Sequence, residues 1–211
     1  MAKTLPFIEY KKDNKNPVVD SPNNFYQLQM YKDEKFFFSN DSMVRFTKGI
    51  EKLVRNNDRY KKYIYYIKTQ VKMNQCQVLK NVTDEDATLE MHHGIINLFD
   101  ICDIITQYFL LHGWKVSTYR IANAVLDEHE MNRIPVIMVS VTVHQEIHNG
   151  SIFVPYKSFF GDFKSFVKKY DKAISDDIRE KINKYIDRSL IEDPDESMSI
   201  LTLNPRLVNK E

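Results

Sequence analysis

The sequence predicts an α+β fold that is mostly helical, and three observations support this prediction. Apolar residues recur every three to four positions through most of the chain between residues 43 and 190, which is the period of amphipathic helices. Two short segments, 87–91 and 136–139, instead favour strands. The 211 residues include 12 Tyr and 13 Phe but only 5 Gly and 7 Pro, a composition that argues against a disordered or low-complexity chain.

The chain is predicted to divide into four parts. Residues 1–42 form an extended N-terminal arm, because they are rich in Asn, Asp, Lys and Pro and show no sustained period. Residues 43–155 form the core, and residues 156–191 form a charged, amphipathic helical extension. Residues 192–211 form a tail that starts with an acidic run. Two aromatic clusters of the arm, at 25–26 and 36–38, are expected to dock it onto its own body or onto a partner chain.

The first part of the core, residues 43–73, is predicted to form two basic helices separated near Asn56 and Asn57. Ten Lys and Arg lie between Arg45 and Lys80 against two acidic residues, although the whole chain carries a formal charge of +1. Interleaved Tyr rings suit stacking on nucleic-acid bases, but such a segment also suits a protein partner or a solvated face. The candidate phosphate-contacting, DNA-binding residues are Arg55, Arg59, Lys61, Lys62, Lys68 and Lys72.

The rest of the chain alternates short strands with helices. The predicted strands and extended pieces lie at 76–79, at 87–91 leading into His92 and His93, at 136–139 and at 152–155. The predicted helices lie at 98–111, 119–130, 141–149 and 176–190, and an amphipathic segment lies at 159–170. The helices at 98–111 and 119–130 therefore form a helical hairpin inserted between the two strands.

The composition also indicates the setting in which the chain works. Two cysteines, Cys76 and Cys102, cannot form a disulfide framework, and Cys102 lies on an apolar helix face typical of the core. The first residues lack the apolar region of a signal peptide, and no run of about 18 apolar residues could cross a membrane. We therefore expect a reducing, cytoplasmic setting with no membrane partner.

All six histidines lie between residues 92 and 148. His144 and His148 are four residues apart, which places both imidazoles on one face of a helix, where they can bind one metal. His92 and His93 are neighbours at the end of a strand, so their side chains point to opposite sides and are suited to two different tasks. The other two histidines, at 112 and 129, are expected to be structural or surface residues.

The segments from Leu89 to His93 and from Ser140 to Gly150 together resemble the HNH (His-Me finger, ββα-metal) endonuclease family, over roughly residues 88–154. The same stretch resembles a group of uncharacterised phage-encoded proteins. The resemblance implies a small ββα-metal finger embedded among the helices. It also implies a hydrolase that cleaves phosphodiester bonds of DNA.

The HNH resemblance assigns a role to each residue of the motifs. His92, His144 and His148 would ligate one divalent metal ion, which could be Zn, Mg, Mn or Ni. His93 would deprotonate the attacking water, and the metal would stabilise the charge that develops on the phosphate and the leaving 3′ oxygen. Asn132 is the nearest candidate for the family Asn that orients the general base.

Three functions follow as competing hypotheses. The first is a metal-dependent endonuclease. The second is a phage structural or assembly protein that retains an inactive HNH-like fold and joins a virion through its arm and tail. Pro135, which occupies the usual position of the family Asn, and the extended chain ends favour this second hypothesis. The third is a DNA-binding module without chemistry. A phage-encoded chain would act in the host cytoplasm or in association with the virion.

Overall fold

The computed structural model describes residues 8–9, 18–19, 31–32 and 34–192. Their elements in chain order are β1 Ile8–Glu9, β2 Val18–Val19, α1 Asn40–Arg55, α2 Asp58–Thr69, β3 Leu89–His93, α3 Leu98–Leu111, α4 Thr118–Glu130, β4 Val136–Ser140, α5 Val141–His148, α6 Phe163–Tyr170 and α7 Asp176–Glu192. Short 3-10 turns lie at Glu34–Phe38, Tyr156–Ser158 and Asp171–Ala173. The prediction of a mostly helical α+β chain is confirmed for these residues.

Polar caps explain why several helices begin where they do. The Asn57 side chain accepts a hydrogen bond from the Arg59 amide and starts α2, so the predicted break between the two basic helices is confirmed. Asn97 and Asp100 form a reciprocal capping box at the start of α3. The Ser140 hydroxyl accepts from the Val143 amide, so the last residue of β4 is also the cap of α5.

The sheet that organises the centre of the molecule consists of β3 and β4. The two strands are antiparallel, with Leu89 opposite Ser140 and His93 opposite Val136. Every residue of β4 is buried, and every residue of β3 is buried except Glu90. Helices α3 and α4 connect the two strands as the predicted inserted hairpin, and α1 packs against both of these helices.

The hydrophobic core extends into the C-terminal helices. Phe163, Phe166 and Tyr170 of α6 are almost completely buried, as are Ile182 and Ile186 of α7. All of them belong to the same cluster of buried residues as β4. Helices α6 and α7 therefore complete the core.

Two predictions of extended segments, at 152–155 and at 76–79, were wrong. Residues 152–155 form no strand, and the backbone of β4 instead makes a two-way bridge to Phe160, with N–O distances of 2.9 Å each way. The carbonyl of Val154 accepts a hydrogen bond from the Tyr185 hydroxyl of α7, and Pro155 has no backbone N–H to donate to a neighbouring strand. Residues 76–79 bend rather than extend, because the Leu79 amide turns back to the Cys76 sulfur at 3.4 Å.

The end of the arm docks onto the body of the chain. The rings of Phe36 and Phe37 contact Phe46 of α1 edge to face, with centroids 6.0 and 5.1 Å apart. The other aromatic cluster, at 25–26, lies outside the described residues, as does the tail after Glu192. Among the described residues, no helix is long and apolar enough to cross a membrane.

Candidate metal centre

Three of the predicted site histidines come together between β3 and α5. His92 lies on β3, and His144 and His148 lie one turn apart on α5, which starts directly after β4. The ring centroids of the three pairs are 4.6 to 5.2 Å apart. One nitrogen from each ring lies within 4.8 Å of the others, which is the arrangement that could hold a metal ion.

The two helical histidines already have nearly the spacing of two ligands on one ion. His144 Nε2 and His148 Nε2 are 3.0 Å apart. Two nitrogens each about 2.0–2.1 Å from a tetrahedral zinc would lie roughly 3.3–3.4 Å apart. A few tenths of an ångström of side-chain motion would therefore bring these two nitrogens to the separation of two zinc ligands.

Burial and repulsion by the neighbouring imidazoles disfavour protonation of His92 and His148. Burial, together with smaller contributions from the neighbouring His144 and His148, lowers the pKa of His92 to about 4. Burial and His144 also lower the pKa of His148. Since a metal binds only the unprotonated imidazole, the lowered pKa values of His92 and His148 favour the binding form of these two rings at neutral pH.

Glu90 joins the three histidines at the surface of the sheet. Its carboxylate Oε2 lies 2.5 Å from His144 Nδ1. Glu90 and His92 are two residues apart on β3 and so point to the same side, towards α5. The site therefore contains a carboxylate that the sequence analysis did not assign to it, although Glu90 belongs to the motif that carries the HNH resemblance.

His93 points to the other side of β3 and into the core. Its Nε2 lies 3.0 Å from His129 Nε2, and His129 Nδ1 donates to the Val125 carbonyl at 2.7 Å. The rings of Tyr60 and Tyr63 lie edge-on against His129 at 5.5 and 5.4 Å. His93 is 8% exposed, and burial holds its pKa well below the usual range. The residue predicted to face a substrate is thus hydrogen-bonded inside the core.

Asn132, predicted to orient His93, is not its hydrogen-bond partner among the described residues, and the Oδ1 of Asn132 is buried without a partner. It follows α4 with a backbone φ of +54° and lines a pocket with Arg59, Tyr63 and Tyr66. His93 Nε2 is paired with His129 rather than with Asn132. His129, predicted to be a structural or surface residue, is completely buried, which agrees with the structural alternative. No local sequence signal indicates its partner His93, which lies 36 positions away.

Most of the predicted DNA-binding cations have acidic partners. Arg59 pairs with Asp127 and Glu130 of α4, each at 2.6 Å. The other pairs are Arg55 with Glu51 at 2.8 Å, Lys61 with Asp58 at 3.4 Å and Lys68 with Asp84 at 4.0 Å. The positive charge of the basic helices is therefore partly neutralised by the fold. Lys62 and Lys72 complete the predicted set; Lys62 is exposed beside the Asn132 pocket, and Lys72 has a backbone φ of +64°.

A comparison with protein-family models decides which group of proteins this is. The model of a bacteriophage G278-like virion protein matches residues 5–208, nearly the whole chain. The chain belongs to the bacteriophage G278-like virion protein family. No curated protein and no solved structure gave a significant match. The prediction of a phage protein is thus confirmed, and the family description agrees with the hypothesis of a virion component.

This G278-like virion protein also has a cleft beside His92. The cleft has a volume of about 530 Å³ and lies between α7 and the segment that follows α5. Its lining includes His92, Ile147, Phe153, Tyr185 and Arg188. The cleft gives space for a side chain or a small ligand next to one of the candidate metal ligands.

Proposed function

We propose that this virion protein binds one divalent metal ion through His92, His144 and His148, and that the metal fastens α5 to β3 within a structural component of the virion. The observation that carries the proposal is the convergence of these three rings on one side of β3. The fourth histidine of the motif, His93, is directed into the core on the other side.

The donor set supports a metal ion of the zinc class. Neutral imidazoles are preferred ligands of Zn, Ni and related ions, whereas Mg favours oxygen donors. His92 is buried, His144 is half-buried and His148 is exposed, so an ion has a route from solvent. An ion at this position would connect the strand to the helix by bonds much stronger than the present ring contacts, and it would thereby stabilise the folded state.

The position of His93 favours a structural role over hydrolysis. A general base must reach the water from which it takes a proton, at about 2.6–3.2 Å or through one water. The Nε2 of His93 is instead 3.0 Å from His129, and both rings are buried among tyrosines. This arrangement suits a core hydrogen bond, and the membership of a virion protein family suits an assembly role with other phage proteins.

Thermal unfolding with and without metal tests the proposal. Zinc added to the chelator-treated full chain should raise the midpoint of unfolding, and the double variant His144→Ala/His148→Ala should show no such rise. His112→Ala, at an exposed histidine outside the cluster, is the matched control and should respond like the unchanged chain. A zinc response that persists in the double variant would refute the assigned ligands, and the absence of any response would refute the metal centre.

Metal-dependent hydrolysis of DNA is a second candidate function. Three protein ligands leave a fourth position open, which is typical of catalytic rather than structural zinc sites, and the cleft lies next to His92. A supercoiled-plasmid nicking assay with several divalent metals distinguishes the two candidates. Nicking that is lost in both His93→Ala and the double histidine variant would favour the endonuclease, and no nicking by metal-loaded protein would favour the structural role.

A further inference from the structure

We infer that Glu90 is a positioning residue of the centre, because its carboxylate holds the His144 imidazole in the tautomer whose Nε2 is free to bind a metal. The effect of Glu90 on metal binding rests on the proposed metal centre. The hydrogen bond itself concerns the protein alone and can be tested without metal.

The strand places Glu90 for this task. Of the residues of β3, Glu90 alone is exposed, and it shares the side of the strand that carries His92. Its carboxylate reaches across to α5, where Oε2 lies 2.5 Å from His144 Nδ1. The ring of His144 is thus held between Glu90 on one side and the rings of His92 and His148 on the other.

The chemistry of the carboxylate determines where the ring proton sits. An ionised carboxylate only accepts hydrogen bonds, so His144 Nδ1 must carry the proton that it donates to Glu90. A neutral imidazole has one ring proton, which leaves the lone pair on Nε2. This Nε2 is the nitrogen that faces His148 Nε2 at 3.0 Å. Glu90 therefore directs the ligand nitrogen of His144 towards the centre of the cluster.

The same logic assigns the proton between the two helical histidines. Since His144 Nε2 holds a lone pair, the His148 Nε2–H must be the donor across the 3.0 Å contact. An incoming metal would take the place of that proton, and His148 would then carry its proton on Nδ1. His148 is exposed, so it can exchange this proton with solvent. The Nε2 of His144 is therefore free before a metal arrives, whereas His148 must transfer its proton from Nε2 to Nδ1 when the metal binds.

The contact is suited to orienting a ligand more than to stabilising the fold. The Glu90 side chain is 45% exposed, and exposed pairs of this kind contribute little to the free energy of unfolding. Carboxylates that accept from the second nitrogen of a metal-bound histidine typically change metal affinity about 10- to 100-fold. Loss of Glu90 should accordingly weaken zinc binding by about that factor while leaving the metal-free protein folded.

The test uses the full chain and two readouts. In metal-free protein, nitrogen-15 NMR of the imidazoles at neutral pH should show His144 protonated at Nδ1. Glu90→Ala should lose this preference, and Glu90→Gln should retain it, because its amide oxygen can still accept. Glu146→Ala, which removes a carboxylate from α5 itself, is the matched control and should leave the tautomer unchanged. A His144 protonated at Nε2 in the unchanged chain would overturn the inference.

Zinc affinity, measured by competition with a chromogenic chelator, is the second readout. Glu90→Ala should bind zinc about 10- to 100-fold more weakly than the unchanged chain and Glu146→Ala. Equal affinities in all three proteins would overturn the positioning role. If no protein binds zinc, the proposed metal centre fails, and the tautomer measured in metal-free protein alone decides whether Glu90 orients His144.

Discussion

His92 and His93 are neighbours on β3, yet their rings lie on opposite sides of the strand in two unrelated environments. The ring of His92 lies 5.0 Å from that of His144, centroid to centroid. His93 is hydrogen-bonded to His129 in the core. The pleat of a strand separates neighbouring side chains in this way, so the pair divides into one candidate ligand and one core residue. This division is the main structural argument against a hydrolytic role for His93.

Glu128 should be much more important for stability than its near neighbour Glu130. The Glu128 carboxylate is 1% exposed and contacts Lys169 Nζ at 2.5 Å and the Tyr170 hydroxyl at 2.9 Å. Its removal would leave the buried Tyr170 hydroxyl without this acceptor, at a cost of about 1–3 kcal/mol, whereas Lys169 is 39% exposed and can still be hydrated. Urea unfolding of Glu128→Ala should show a loss of about this size. Glu130→Ala removes a half-exposed carboxylate and should cost less than about 1 kcal/mol. Equal losses would contradict the assignment.

Two glycine-to-alanine changes should have opposite effects on stability. A Cβ on Gly94 would lie 2.0 Å from the Phe159 ring, so Gly94→Ala must displace that ring and should cost about 1–3 kcal/mol. Gly49 lies within α1, and its Cβ would meet its nearest neighbour at an ordinary 3.8 Å. Gly49→Ala should therefore raise the free energy of unfolding by up to about 1 kcal/mol. A stable Gly94→Ala variant would show that the packing of Phe159 against this loop is looser than described.

The metal-free protein should lose stability as the pH falls from about 6.5 to about 4. Burial lowers the pKa of His129 to about 4 in the folded chain, whereas the unfolded chain keeps a value of about 6.5. Below pH 6.5 the unfolded state binds a proton that the folded state does not, so stability falls until the folded state is also protonated, near pH 4. The loss from His129 alone is of the order of 3 kcal/mol.

Unfolding midpoints in urea across this pH range, with chelator present, would measure the effect. His129→Gln should reduce the pH dependence by about the share of one group, since His92 and His93 also have lowered pKa values in the folded chain and contribute in the same direction. His112→Gln changes an exposed histidine and serves as the control for substitution itself. If His129→Gln retained the full dependence on pH, the buried His93 or other groups would have to account for it.

Arg59 and Lys62 should differ in what they contribute, although both were predicted to bind DNA. Arg59 bridges α2 to two carboxylates of α4, so Arg59→Ala should cost about 1 kcal/mol in urea unfolding. Lys62→Ala should leave stability almost unchanged. In a DNA-binding titration at low salt, any affinity for DNA should depend on Lys62 more than on Arg59, because Asp127 and Glu130 compensate the charge of Arg59. A strong loss of affinity in Arg59→Ala without a loss of stability would contradict this view.

Much of the secondary structure and part of the site were predictable because they depend on residues close together in the chain. The four-residue spacing of His144 and His148 placed both on one helix face, and the apolar period predicted helices at 98–111 and 119–130, close to the observed α3 and α4. The separation of His92 from His93 also follows from strand geometry alone.

The remaining features depend on contacts between residues far apart in the chain, and such contacts cannot be predicted from one sequence alone. His93 meets His129 across 36 positions, and Arg59 meets Glu130 across 71. β4 pairs with Phe160 and not with the predicted strand at 152–155. That segment instead binds α7, because the Val154 carbonyl accepts a hydrogen bond from the Tyr185 hydroxyl. In each case tertiary packing supplies a partner that local periodicity cannot reveal.

The most direct test of the central claim is the metal content of the purified protein after dialysis against excess zinc and removal of unbound ion. The metal centre predicts about one zinc per chain, and His144→Ala/His148→Ala should retain none while His112→Ala should match the unchanged chain. Full occupancy in the double variant, or no bound zinc in the unchanged chain, would contradict a metal centre formed by His92, His144 and His148.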